Sequence, residues 1–68
     1  MKIKDLKKGD KFKLSTQAHT TFRFDSAAWY DSALKADTYF CYDMLDGHRY
    51  RFTGDLDVIL PPFKFGNL

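Results

Sequence analysis

Cys41, His19 and His48 are the residues of this 68-residue sequence best suited to chemistry, since a thiol and imidazoles can form a nucleophile with its base or a zinc site. Zinc takes three or four such ligands, and these three serve only if the fold gathers them. Strand alternation is expected to set Cys41 and His48 on opposite faces of a hairpin, which separates the thiol from a base and from a shared metal. All nine acidic residues are aspartates. Asp55 and Asp57, two apart, can point the same way, as paired carboxylates do in glycosidases. Both flank a turn, however, where the short aspartate side chain serves the backbone. The sequence therefore assigns no catalytic residue, no metal and no cofactor, and the chain reads as non-enzymatic.

Binding chemistry is better represented. The chain holds seven Phe, four Tyr and one Trp, more rings than a small β-domain needs inside. The surplus should reach the surface, where Tyr, Trp and Arg mark interfaces. Trp29, Tyr30, Tyr39, Arg49 and Arg51 are the candidate ligand- or partner-binding residues: Trp29 and Tyr39 as anchors, the arginines to meet anions. Phe63 and Phe65, beyond the last strand in "PPFKFGNL", have few sequence neighbours to bury them and are the candidate oligomer interface. Residues 61–68 thus read as a C-terminal docking tail on a single domain spanning 1–68.

Charge is unevenly placed. Residues 1–13 carry six lysines against Asp5 and Asp10, whereas the remainder is net acidic. A basic end can meet phosphate, and with the interleaved Arg23, Arg49, Arg51, Trp29 and Tyr39 it gives an alternative reading as a nucleic-acid binder. The other reading of the lysines is a solvated edge that blocks unwanted strand pairing. Cys41 is the only cysteine, which excludes an intramolecular disulfide and fits a reducing, cytoplasmic setting. No apolar run approaches the ~20 residues that span a bilayer, so no membrane role is expected. A core this small gains from self-association, and a homo-oligomer is expected.

The elements that must position these residues are mostly strands. "KFKL" alternates within a first strand over Lys11–Ser15, after a turn in which Gly9 is free to take a positive φ. "TTFRF" alternates again, with Phe22 and Phe24 inward. "DSAAWYDSALKAD" reads as a short helix from its alanines, or as a loop broken at Asp31-Ser32. "YFCYDMLDGHRYRF" reads as a hairpin with a three-residue loop, Leu45–Gly47, and Gly47 in the left-handed position. That register pairs Tyr42 with Tyr50 and Phe40 with Phe52, sorting rings to one face and charges to the other. "FTGDLDVIL" supplies a turn and a last strand, stopped by Pro61-Pro62.

The expected fold is all-β with room for one short helix: a small, strongly bent antiparallel sheet or barrel of about five strands. The "DLKKGDKF" opening, the central "DG" hairpin and the final "GDLDVIL" strand resemble small SH3-like barrel proteins of phage and bacterial type. The resemblance covers most of the chain and rests on strand-and-turn motifs. It implies a self-associating binding protein for a protein partner or a small anionic ligand. A phage-type accessory protein, or an inhibitor of host defence acting in the host cytoplasm, fits that description.

Overall fold

Alternation of large apolar and charged residues builds the sheet. The computed structural model describes residues 1–63. It contains a 3₁₀ turn at Ile3–Asp5 and four strands: β1 (Lys11–Phe12), β2 (Phe22–Asp31), β3 (Ala36–Asp43) and β4 (Arg49–Thr53). All neighbours are antiparallel, in the order β1-β2-β3-β4. The sheet curls into a half-barrel. Two isolated bridges, Lys2 with Asp57 and Lys13 with Ile59, bring the segment after β4 across to the N-terminal turn and to the end of β1.

The inner face carries the core. Ile3, Leu6, Phe12, Phe22, Phe24, Cys41 and Val58 are buried, with Tyr39, Phe52 and Leu60 packed against them. Each fully buried ring or aliphatic side chain contributes roughly 1.5–3 kcal/mol relative to exposure. Phe22 is the hub: it stacks on Phe12 at 5.6 Å and meets Tyr50 and Phe52 edge-on at 5.6 and 5.2 Å.

Residues 25–37 form neither the short helix nor the loop expected of them. Phe22–Asp31 is one strand, turned back at residues 32–35 into β3. Asp31 explains the turn: its Oδ1 accepts the N–H groups of Ala33 and Leu34 at 2.9 and 3.1 Å. Lys35 then takes a left-handed φ of 54°. The helical preference of the alanines, a few tenths of a kcal/mol each, yields to pairing with β3.

That pairing contains two bulges. The register shifts between Phe24 and Ser26 and again between Ala27 and Tyr30, each time leaving one extra residue on β2. Cys41 and Thr38 fill in behind them. The Cys41 thiol lies beside the Asp25 backbone. The Thr38 hydroxyl accepts from the Trp29 N–H and donates to the Trp29 carbonyl, so the second irregularity leaves neither group bare. Bulges of this kind increase local twist and help a sheet to curl.

The β3–β4 hairpin differs from its expected register by one residue. The Asp43 N–H donates to the His48 carbonyl and the Gly47 N–H to the Asp43 carbonyl, both at 2.9 Å, closing a four-residue loop, Met44–Gly47. Gly47 is left-handed as expected, with φ 75°. Two aspartates lengthen the loop: Asp43 Oδ1 accepts from the Leu45 N–H and Asp46 Oδ1 from the His48 N–H, each at 2.8 Å. Tyr42 therefore faces Arg49, Cys41 faces Tyr50, Phe40 faces Arg51 and Tyr39 faces Phe52. The expected sorting of rings from charges does not occur, because a one-residue slip turns β4 over relative to β3.

Candidate functional site

On the outer face the corrected register mixes arginines with rings. Side chains directly opposite one another across antiparallel strands share a face. Lys11, Arg23, Tyr42 and Arg49 form one such row across all four strands. Ser26, Phe40 and Arg51 form the next. Trp29 and Thr38, joined at the second bulge, lie beyond them, and Asp31 beside Ala36 comes after.

The contacts within this face run as a chain. The Arg49 guanidinium sits 4.3 Å from the Phe40 ring centre and that of Arg51 4.4 Å from the Trp29 ring centre. Trp29 meets Phe40 edge-on at 5.6 Å. Both Nη1 and Nη2 of Arg51 donate to Asp31 Oδ2, at 3.1 and 3.2 Å, and Nη1 also donates to the Thr38 hydroxyl at 3.2 Å. Hydrogen bonds from the Leu34 backbone and from Arg51 hold the Asp31 carboxyl below its ordinary pKa. Arg51 is thus fixed by its ring contact and its bonds to Asp31 and Thr38. Arg49 is exposed and its guanidinium makes no hydrogen bond among the described residues, so its five donors are unused. A guanidinium stacked on a ring keeps its edge free for planar, bidentate anions.

Of the residues singled out by sequence, Trp29, Arg49 and Arg51 come together here. Tyr39 goes elsewhere: it lies on the inner face, half-buried, 5.7 Å from Phe24. Its ring occupies the space where a Cβ on Gly54 would stand, 2.8 Å away. Tyr30 is exposed near the β2–β3 turn and lines a depression of ≈ 240 Å³ with Lys4, Lys35, Tyr39 and Asp55. Phe63 is half-buried with the Lys13 ammonium 4.8 Å above its ring, within its own chain. Phe65 lies outside the described residues, as do residues 64–68 of the expected docking tail. Phe40, Tyr42 and Asp31 belong to the face and were missed, since only the register assigns them to one side; Lys11 joins them from the basic N-terminal end.

The N-terminal lysines are partly engaged within the fold. Lys2 pairs with Asp57 at 2.9 Å, a contact that raises the lysine pKa and lowers that of the aspartate. Lys4 reaches Asp55 at 3.5 Å, and Lys13 is buried.

The expected separation of Cys41 from His48 fails with its register, because both project to the inner side. They remain unlike in setting. Cys41 is fully buried, whereas the His48 side chain is 74% exposed and stands beside Asp46. Burial, helped by the Asp25 charge, pushes the Cys41 thiol up to about 12, the wrong direction for a nucleophile. Among the described residues no three His, Cys or Asp side chains gather as metal ligands, and no helix is long and apolar enough to cross a membrane.

No protein-family model, curated protein or solved structure matches this chain.

Proposed function

We propose that this protein is a non-enzymatic binding module whose outer sheet face engages an acidic partner protein, with Arg49, Arg51 and Trp29 at the centre of the contact. The observation that carries the reading is the pair of guanidinium groups stacked on Phe40 and Trp29 across one exposed face. Stacking restricts both arginines before any partner arrives, so less side-chain entropy is lost on binding. Lys11 and Arg23 extend positive charge across the sheet, and Asp31 is the one carboxylate bonded into the cluster among the described residues. Trp29 is 55% exposed although large and apolar, as anchor residues are.

Acidic protein is favoured over nucleic acid for two reasons. The faces of Phe40 and Trp29 that bases would stack on are already capped by arginines. Lys2 and Lys4 are also paired with Asp57 and Asp55 at the surface and Lys13 is buried, which leaves fewer of the N-terminal lysines for phosphate. The bridge from Ile59 to the end of β1, beside the order β1-β2-β3-β4, supports reading the half-barrel as SH3-like.

Trp29 is the sole tryptophan and lies within the site, so its fluorescence reports binding directly. Titration with polyglutamate at low salt should change the emission, and the response should weaken as salt rises. Arg49→Gln with Arg51→Gln should abolish it while the fold persists. A chain whose emission ignores polyglutamate, or whose binding survives both substitutions, does not work this way.

A further inference from the structure

The outer edge of β4 lies immediately beside this face. No strand pairs with it among the described residues. The pattern of hydrogen bonds fixes what it presents. Asp43 with His48 and Asp37 with Gly54 are hydrogen-bonded positions of the β3–β4 ladder, since the Asp43 N–H reaches the His48 carbonyl and the Gly54 N–H the Asp37 carbonyl. Such positions alternate with ones whose N–H and C=O groups point away from the partner strand. Arg49 and Arg51 occupy the latter positions, so their backbone groups face outward. Exposure agrees: the Arg51 side chain is 29% exposed, yet the residue as a whole is exposed, and the surplus is main chain.

We propose that β4 accepts an extended acidic segment of a partner protein as a fifth, antiparallel strand. This rests on the acidic-partner reading above and specifies its mode and sequence preference. Residues of the incoming segment that pair directly with Arg49 and Arg51 would exchange backbone hydrogen bonds with them and place their side chains on the outer face. There they meet two guanidinium groups, one with all five donors unused and one with donors to spare after its bonds to Asp31 and Thr38. Carboxylates suit both positions. The residue between them points to the inner side against Tyr50, which is 42% exposed and stacked on Phe52 at 6.1 Å. An apolar side chain suits that position. The preferred segment is therefore acidic–apolar–acidic in extended form. A second copy of β4 is a poor occupant, because symmetric antiparallel pairing would set arginine against arginine.

The test titrates the full chain with four capped synthetic peptides, tracking backbone amides by NMR and hydrogen exchange. The first alternates glutamate and valine. The second is the same peptide N-methylated at its glutamates, which removes the N–H groups that would pair with β4. The third is N-methylated at its valines, which leaves that edge intact. The fourth has the same composition with its glutamates grouped at one end. The alternating peptide should bind, shift the Arg49 and Arg51 amides and slow their exchange. The valine-methylated form should bind comparably, and the other two about tenfold or more weakly, since each lost pairing costs a hydrogen bond or a charge contact. Equal binding by all four overturns strand addition but leaves the acidic-partner face standing. The same holds if polyglutamate binds and the alternating peptide does not. If no peptide binds at low salt and only a single-stranded oligonucleotide does, both readings fall. Protection of the Arg49 and Arg51 amides in the chain alone, rising with its concentration, gives the edge to a second copy and overturns the inference.

Discussion

The two sides of β4 make the most informative comparison in the molecule. On the inner side Tyr50 and Phe52 meet other rings, with Phe22 edge-on to both. On the outer side Arg49 and Arg51 cover the rings of neighbouring strands. The same five residues thus serve two purposes at a period of two. Ring-on-ring packing removes apolar area from water and sustains the fold. Ring-under-arginine packing removes less area, but leaves hydrogen-bond donors fixed and facing out. Stability should depend on the first side and recognition on the second.

The sharpest way to break that division is Phe12→Ala. Phe12 is fully buried under Phe22, and its loss should cost about 3–5 kcal/mol, most of the stability of so small a domain. Urea unfolding monitored by circular dichroism checks this, and a loss below about 1 kcal/mol would mean that the inner face is not the core. Gly54→Ala comes next. The new Cβ meets the Tyr39 ring at 2.8 Å and Lys4 Cβ at 3.2 Å, so overpacking should cost about 1–3 kcal/mol by the same measurement. Arg51→Gln should act in the opposite proportion. It removes the ring contact and the bonds to Asp31 and Thr38, lowering stability by about 1 kcal/mol while reducing polyglutamate binding about tenfold. A large stability loss with intact binding would reverse the roles of the two sides.

The remaining effects concern pH. Cys41 has a folded pKa raised above its unfolded value, so its contribution is complete below the ordinary thiol range near 8.5 and is lost as pH rises toward about 12. Thermal melts should fall across that window, and Cys41→Ala should flatten the fall. Asp31 has the opposite sign. Its contribution is present above the ordinary carboxylate pKa and disappears as pH drops through its lowered folded value. Trp29 emission should therefore shift only under stronger acid than an ordinary carboxylate would require, and Asp31→Asn should remove the shift.

Much of the architecture is legible in the sequence because it is written in short-range alternation. Phe12, Phe22 and Phe24 face inward, and Gly9 and Gly47 take positive φ at their turns, as their neighbours require. The β2–β3 hairpin is not legible in the same way. Ala27, Ala28 and Ala33 favour helix locally, and only the distant residues of β3 draw the first two into a strand. The site suffered from a finer ambiguity. Arg49, Arg51 and Trp29 can be picked out by residue type, but their company depends on whether the loop at Gly47 has three residues or four. That choice was made by the carboxylates of Asp43 and Asp46 bonding to the backbone, an interaction that strand alternation does not encode. One residue of loop length moved Phe40 and Tyr42 to the arginine side.

The surplus residues of β2 give the strand some slack. Deleting Asp25, or one residue of the pair Ala28 and Trp29, would restore a plain ladder without reversing the orientation of the residues beyond it. Removal of Arg23 would send every later side chain of β2 to the wrong side until a bulge could absorb the error. Natural length variation in this strand should therefore collect at those two places, like the adjustable links in a watch strap.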